Sequence, residues 1–504
     1  METAQERKTG GILGTIERVG NKLPHPFILF LYIIVILVAA SAILAGMGVQ
    51  VVNPTTQETV YVRNLLSRDG LVWLLENMIG NFSGFAPLGM VLAMQMAIGL
   101  AESVGLLSTV MRRAILGVPL WALSGTVMFL GINGSIASEA SIIVVPALAA
   151  TAFQAVGKHP LAGLIAGYAA TNAGFTANVL ITGTDALLCG VTEEAAHIID
   201  PTATVSAASN WYFMIASTII LTFVGTFIND KVITPRLGQY KGGEQEQERE
   251  ATGQEKRGLR NAGIFTLIFL VLLLVSVVPS NGILRGEDGS LLNSPFLAGI
   301  VPLLVIYFIL VGIVYGKTVG TLKKASDVPV IMAQSLTSLT GYIVLVFVIS
   351  QFIAMFNYTN LSMVIAVNGA AALQNAGFTG VPLLIGIVIM SAVVDLFMTS
   401  GSAKWYIFAP IFVPMLMLLG YSPAFAQAVY RIGDSIANPI TPIYPYLPIV
   451  IGMAQKYDKN TGMGTIISMM LPYSMAFLVV WILQAVAWQV FNLPLGPDAM
   501  VFWP

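Results

Sequence analysis

Nine stretches of this chain are apolar over roughly the length of a membrane crossing, and nothing else in the sequence constrains the fold as tightly. About 20 largely apolar residues, wound as a helix, cross roughly 30 Å of hydrocarbon. The stretches are 26–48, 86–106, 114–131, 209–230, 262–280, 294–315, 337–356, 379–398 and 464–490. Four further segments, 132–157, 160–185, 399–420 and 423–451, are apolar on average but interrupted by polar residues, glycines and prolines. Residues 71–85 (LVWLLENMIGNFSGF) are amphipathic, which fits an interfacial or partial helix.

Charged residues make up only 10% of the 504 residues, against about 25% in a typical soluble domain. The expected class is an all-α polytopic membrane protein whose first partner is the lipid bilayer. A net charge of −1 gives no reason to expect nucleic acid. The single cysteine, Cys189, excludes an internal disulfide or a cysteine-built metal cluster, and His25, His159 and His197 are too scattered for a zinc or haem site. No cofactor is expected. The N-terminal residues are polar, with no short apolar core and cleavage site behind them, so the first apolar stretch reads as a retained anchor.

Residues 231–260 form a charged linker between two membrane halves, 26–230 and 261–504, with 1–25 as a cytoplasmic N-terminal segment. Basic residues gather at Arg7, Lys8, Arg18 and Lys22, at Arg112 and Arg113, at Lys317, and at Lys323 and Lys324. That bias places the N-terminus, the linker and the 317–324 loop in the cytoplasm, with Arg63 and Arg68 as external exceptions.

The two halves carry a weak internal repeat. With Pro146 set over Pro410, GSIASEASIIVVP (134–146) falls over MTSGSAKWYIFAP (398–410), and Ser138 falls over Ser402. A second matched proline comes 14 residues later in one half (Pro160) and 13 later in the other (Pro423). Each copy then has a Gly-, Asn- and Thr-rich broken segment, TNAGFTANVLITGTD and GDSIANPITPIYP, in which a short gap lays Asn178 over Asn438. Interrupted apolar segments at matched positions point to the binding site of a transporter. The expectation is two re-entrant hairpins, near 132–157 and 399–420, whose tips near Ser138 and Ser402 meet around the bilayer midplane. Lipid cannot satisfy the open backbone of such a tip, so it must be buried in protein or line a cavity. Serines in an ordinary helix–helix interface are the bland alternative.

Ionisable residues inside the membrane cost about 2.5–3.5 kcal/mol each at mid-span and are rarely kept without use. Here they are Glu139, Asp185, Asp395, Lys404, Arg431 and Asp434. Arg431 and Asp434 share a helical face, so they either pair internally or present a planar fork to a substrate carboxylate. Asp185 has no basic neighbour in sequence and reads as a protonatable coupling group, a helix cap or a sodium ligand. Trp405 offers a ring face to an aromatic ligand, or packing. Lys404 is a second cation whose long stem could also reach the surface. Ser138, Asn178, Ser402 and Asn438 are the oxygen-bearing candidates for a sodium site, and the coupling ion is H⁺ or Na⁺.

In GINGSIASEASIIVVPALAA, AGYAATNAGFTANVLITGTDALL, TSGSAKWYIFAPIFVPML and AVYRIGDSIANPITPIYPYLPI, the chain resembles the p-aminobenzoyl-glutamate transporter (AbgT) family. The likeness runs from ERVGNKLPHP to the end. It implies a homodimer in the bacterial inner membrane, each protomer with nine transmembrane helices, two re-entrant hairpins and an inverted repeat. It implies substrates of the p-aminobenzoyl-glutamate class and gradient-driven antiport of sulfonamide antimetabolites. Transport residues of the family correspond to Asp185, Trp405, Pro423, Arg431 and Asp434, Pro423 more as a helix start than as a contact. A sodium-coupled importer of another dicarboxylate or aromatic acid is the alternative.

Two other classes fit less well. An intramembrane enzyme with Ser402 as nucleophile and Lys404 as base would need residues two apart on a helix to face each other, which they do not. A channel would need repeated filter residues, which are absent. No Walker motif is present to supply ATP drive, since GIVYGKT from Gly312 is one residue short.

Overall fold

Backbone N–H and C=O groups in lipid must be satisfied within the chain, and helices do so within one segment. The computed structural model describes residues 24–53, 57–116, 118–137, 140–240, 252–286, 289 and 294–503. Most of the N-terminal segment, residues 241–251 of the linker, and Ser138 with Glu139 lie outside the described residues.

The first half contains α1 (Pro26–Gly46), α2 (Arg68–Ser83), α3 (Ala86–Ser103), α4 (Leu106–Leu116), α5 (Leu123–Ile132), α6 (Ala140–Ala155), α7 (Pro160–Asn172), α8 (Gly183–Ala196) and α9 (Trp211–Ile228). The second contains α10 (Gly253–Val277), α11 (Ile300–Val319), α12 (Asp327–Ser335), α13 (Thr340–Tyr358), α14 (Leu361–Asn375), α15 (Gly380–Asp395), α16 (Gly401–Leu418), α17 (Pro423–Ala437), α18 (Leu447–Gln455) and α19 (Met463–Phe491). In the first loop β1 (Gln50–Val52) pairs antiparallel with β2 (Thr59–Tyr61), Gln50 opposite Tyr61, a small ribbon the sequence did not announce.

Among the described residues, eight helical stretches are long and apolar enough to cross a membrane. They are α1, the run Arg68–Ser103 through α2 and α3, Trp211–Leu237, α10, α11, the run Asp327–Tyr358 through α12 and α13, α16 and α19. Two expected spans differ. The stretch 114–131 is divided between the end of α4 and α5, because Pro119 removes a backbone donor and disfavours helix in the residue before it. The stretch 379–398 shortens to the 16 residues of α15. The amphipathic 71–85 segment is the body of α2, capped by Ser67, whose hydroxyl accepts from Gly70 N at 3.1 Å.

Two pairs of apolar helices, α5 with α6 and α15 with α16, are joined by tight connections, and of the four only α16 is long enough to cross a membrane. In the first, α5 runs into a 3₁₀ turn at Asn133–Ala137 and returns as α6, so the 132–157 segment supplies the turn and the second limb. In the second, residues 396–400 join α15 to α16, and 399–420 is again mainly the second limb. Each pair lies against a central helix at a glycine. A Cβ on Gly167 of α7 would stand 2.7 Å from Pro146 Cα of α6, and one on Gly433 of α17 would overlap Val388 O of α15. Every residue of α7 and of α17 is buried. Both helices start alike, with proline at the first position and a side-chain cap before it: His159 Nδ1 accepts from Leu161 N, and Ser422 Oγ from Phe425 N.

Candidate functional site

The site is built where two helices stop early. Helix α7 ends at Asn172, and the chain runs irregularly through 173–182 before α8 begins. Thr182 caps α8 in a reciprocal box: its hydroxyl accepts from Asp185 N, and Asp185 Oδ2 accepts from Thr182 N at 2.7 Å. The same oxygen accepts from Thr182 Oγ1 at 2.8 Å and from Asn178 Nδ2 at 2.9 Å. Asp185 Oδ1 meets Arg431 Nη1 at 2.7 Å. Both carboxylate oxygens are therefore engaged, and the residue is only 4% exposed.

Arg431 comes from α17, across the bundle. Its Nη2 donates to Thr176 O at 2.9 Å, which satisfies a carbonyl left open by the break after α7. Thr176 Oγ1 returns to Arg431 O at 3.2 Å and to Ser435 Oγ at 2.5 Å. The guanidinium thus joins an unwound stretch of the first half to a helix of the second, while its Nε has no partner.

One turn along α17, Asp434 Oδ1 lies 2.6 Å from Lys404 Nζ, and the same ammonium donates to Asp395 Oδ1. Asp395 ends α15 and Lys404 sits in the first turn of α16, so this pair closes the second hairpin just below its tip. The tip is tied to α17 by Tyr430 OH donating to Gly401 O at 2.5 Å, and to the segment after α17 by Thr441 Oγ1 donating to Leu396 O at 2.8 Å. On the first hairpin, Asn133 Oδ1 accepts from Val179 N at 2.8 Å, which ties that turn to the 173–182 stretch. The described parts of the two tips are connected through the broken segments, and the expected meeting of Ser138 with Ser402 lies outside the described residues.

Several expectations are corrected by this geometry. Arg431 pairs with Asp185 and Asp434 with Lys404, so the internal Arg431–Asp434 pair is not formed. Sequence distance hid both pairs: Arg431 is 246 positions from Asp185, and only the fold brings them together. Lys404 does not reach the surface. It is 1% exposed, because two carboxylates hold it where an unpaired ammonium would be costly. Trp405 does not present a free face: it stacks on Tyr430 with ring centroids 4.5 Å apart, and its Nε1 donates to Thr192 Oγ1 at 3.0 Å.

The remaining candidates are placed more quietly. Pro423 is the first residue of α17 and is buried, the helix-starting position. Ser402 is half-buried in the first turn of α16. Asn438 follows α17, with Nδ2 donating to Asp434 O at 3.0 Å and Oδ1 without a partner. Of the two matched asparagines, Asn178 bonds the Asp185 carboxylate, whereas Asn438 bonds only the main-chain carbonyl of Asp434. Among the described residues, no group of three or more His, Cys, Asp and Glu side chains is arranged to hold a metal ion. Sequence reasoning named Asp395 only among the intramembrane ionisable residues, without a partner, and did not single out Thr176, Thr192, Tyr430 or Ser435. For Asp395 a signal existed: an aspartate and, nine residues on, a lysine either side of a polar break at Thr399 and Ser400 suit the facing limbs of a hairpin.

The same arrangement of helices occurs in known transporters. Residues 11–503 match the AbgT putative transporter family. The p-aminobenzoyl-glutamate transport protein of Escherichia coli (strain K12) is 45% identical over 491 residues, 97% of this chain and 97% of that protein. The Alcanivorax borkumensis YdaH transporter superposes with a TM-score of 0.90 at 40% identity, covering 94% of this chain and 100% of that one. Neisseria gonorrhoeae MtrF, described within a class of antimetabolite efflux pumps, superposes with a TM-score of 0.91 at 41% identity, covering 97% and 100%. A match over nearly the whole length, in sequence and in fold, means that the chain belongs to the AbgT family and is a multi-pass membrane transporter, not an enzyme.

Proposed function

We propose that this protein moves p-aminobenzoyl-glutamate and related folate catabolites across the bacterial inner membrane as a homodimer, and expels sulfonamide antimetabolites by antiport against an ion gradient. One observation carries the reading. Arg431 is buried where the halves meet, held by one carboxylate and one carbonyl, with Nε still to be satisfied. A planar fork in that state suits an incoming carboxylate, which can take the place of Asp185 and use the spare donor. Substrate entry then breaks an internal pair joining the halves, and exit restores it, so occupancy is linked to the packing of α17 against the 173–182 stretch. The relatives named for p-aminobenzoyl-glutamate transport and antimetabolite efflux support the substrate class.

The test is flux of radiolabelled p-aminobenzoyl-glutamate and a sulfonamide in proteoliposomes, with ΔpH and ΔNa⁺ imposed separately. Accumulation driven by ΔpH is expected. Equilibration without accumulation would mean a channel. Inward accumulation driven by sodium alone would replace this reading with a sodium-coupled importer.

A further inference from the structure

Five ionisable side chains in the buried network do not balance: Asp185, Asp395 and Asp434 stand against Lys404 and Arg431, and none is more than 4% exposed. The imbalance is local. Asp185 and Arg431 neutralise each other, which leaves Asp395, Lys404 and Asp434 with two carboxylates sharing one ammonium. A buried charge without a partner is the most costly element such a network can hold. The three carboxylates differ in how far they are satisfied. Asp185 accepts on both oxygens. Asp434 Oδ1 receives the Lys404 ammonium, with the Tyr430 oxygen 3.4 Å away and its proton given to Gly401 O. Asp395 is completely buried, and its Oδ2 has no partner.

We propose that Asp395 is the group that carries the coupling proton, and that it does so as the unbalanced member of the Asp395–Lys404–Asp434 trio. This deepens the transport reading above and rests on it for the word coupling. In the step itself, a proton from water bonds to Asp395 Oδ2 and Lys404 remains an ammonium. The trio goes from a net charge of −1 to 0. Release breaks the same O–H bond and returns the proton to water on the other side. The cation-binding alternative is disfavoured by Lys404, whose Nζ already occupies the space between the two carboxylates that a sodium ion would need.

Other charges near the group are accounted for. Helix α15 packs against α17, which brings Tyr430, Arg431 and Asp434, and against α19, which has no Asp, Glu, Lys or Arg. Helix α16 brings Lys404, and Tyr406 beside it bonds to Tyr342 at 3.2 Å, away from the trio. Placement at the closing pair of the second hairpin gives the proton mechanical leverage. Adding it weakens the Asp395–Lys404 attraction that holds the two limbs together, while Asp434 keeps the ammonium on α17.

The experiment has two arms on the full-length protein. Infrared difference spectra of purified protein across a pH titration should contain the C=O stretch of a buried carboxylic acid. That band should be lost in Asp395→Asn and shifted in frequency in Asp395→Glu. A band unchanged in both variants, or no such band in the wild type, overturns the assignment without reference to transport. In proteoliposomes, Asp395→Asn should lose all ΔpH-driven accumulation of p-aminobenzoyl-glutamate, and Asp395→Glu should recover part of it. Wild-type accumulation by Asp395→Asn, or accumulation that follows ΔNa⁺ and ignores ΔpH, also overturns it. A wild-type protein that moves no p-aminobenzoyl-glutamate refutes the transport reading alone, and the infrared arm still decides the proton site.

Discussion

Neutralising Asp185 while keeping Arg431 leaves a guanidinium buried beside unwound backbone, with a lost partner that nothing nearby replaces. Breaking a buried pair on one side costs about 3–5 kcal/mol, whereas replacing both members by neutral groups of similar size costs far less. Asp185→Asn is therefore expected to lower the thermal stability of detergent-purified protein. Asp185→Asn with Arg431→Met should recover much of the loss, which a double-mutant cycle measures. The asparagine keeps an oxygen for the Thr182 cap, so the effect reports mainly charge. Additive losses in the double variant would mean that the pair is not coupled. Trp405 invites a different expectation from the one its ring suggests in sequence. It is 1% exposed, stacked on Tyr430 and bonded to Thr192. Trp405→Ala should cost about 3–5 kcal/mol of stability through the cavity it leaves. It should weaken p-aminobenzoyl-glutamate, a sulfonamide and plain glutamate to a similar degree. Selective loss of the aromatic ligands would instead make it a stacking surface.

At the scale of elements, the hairpin helices α6 and α15 pack with close backbone approach against α7 and α17. Small residues let helices in lipid approach far enough for dispersion and polar contacts to hold them. A methyl at Gly433 would strike the main chain of α15 at Val388, where no flexible side chain can yield. Gly433→Ala should separate α15 from α17 and destabilise by about 1–3 kcal/mol, the usual cost of overpacking. It should also loosen the Lys404–Asp434 contact between α16 and α17. The check is thermal stability together with ΔpH-driven flux, and unchanged values in both would exclude packing that depends on this contact. Gly263, where an added Cβ meets nothing within 4 Å, is the control: Gly263→Ala should be silent. The helix starts were legible in sequence, because Pro160 and Pro423 suit first helical positions and need only a cap before them. The turn of the first hairpin was less legible. Apolar residues continue through it, and only Asn133, Gly134 and Ser135 mark the 3₁₀ turn.

Across the whole molecule, the described basic residues near 112, 256–260 and 317 come together at one end. Arg112 pairs with Glu255 at 2.6 Å, Asn261 bonds to Thr318 at 3.2 Å, and Tyr315 bonds to Thr109 at 2.8 Å, so the ends of α4, α10 and α11 form one surface. The positive-inside bias predicts that this end faces the cytoplasm. Cysteines at positions 113, 256 and 323, in a Cys189→Ala background, should resist impermeant thiol reagents in intact cells and react in inside-out vesicles. Labelling of any of the three in intact cells would reverse the orientation. The sequence by itself determined the class, most of the spans and the polar regions that interrupt them, because the cost of exposing polar groups to lipid acts locally and leaves a trace in composition and periodicity. It also pointed to Asp185, Lys404, Trp405, Arg431 and Asp434, because an ionisable residue or polar break in an apolar run is visible from the run alone. Which of them are partners was decided only in three dimensions. Charges attract by distance in space, and the crossing of α17 over the stretch after α7 gives Arg431 to Asp185 and leaves Lys404 to Asp434 and Asp395.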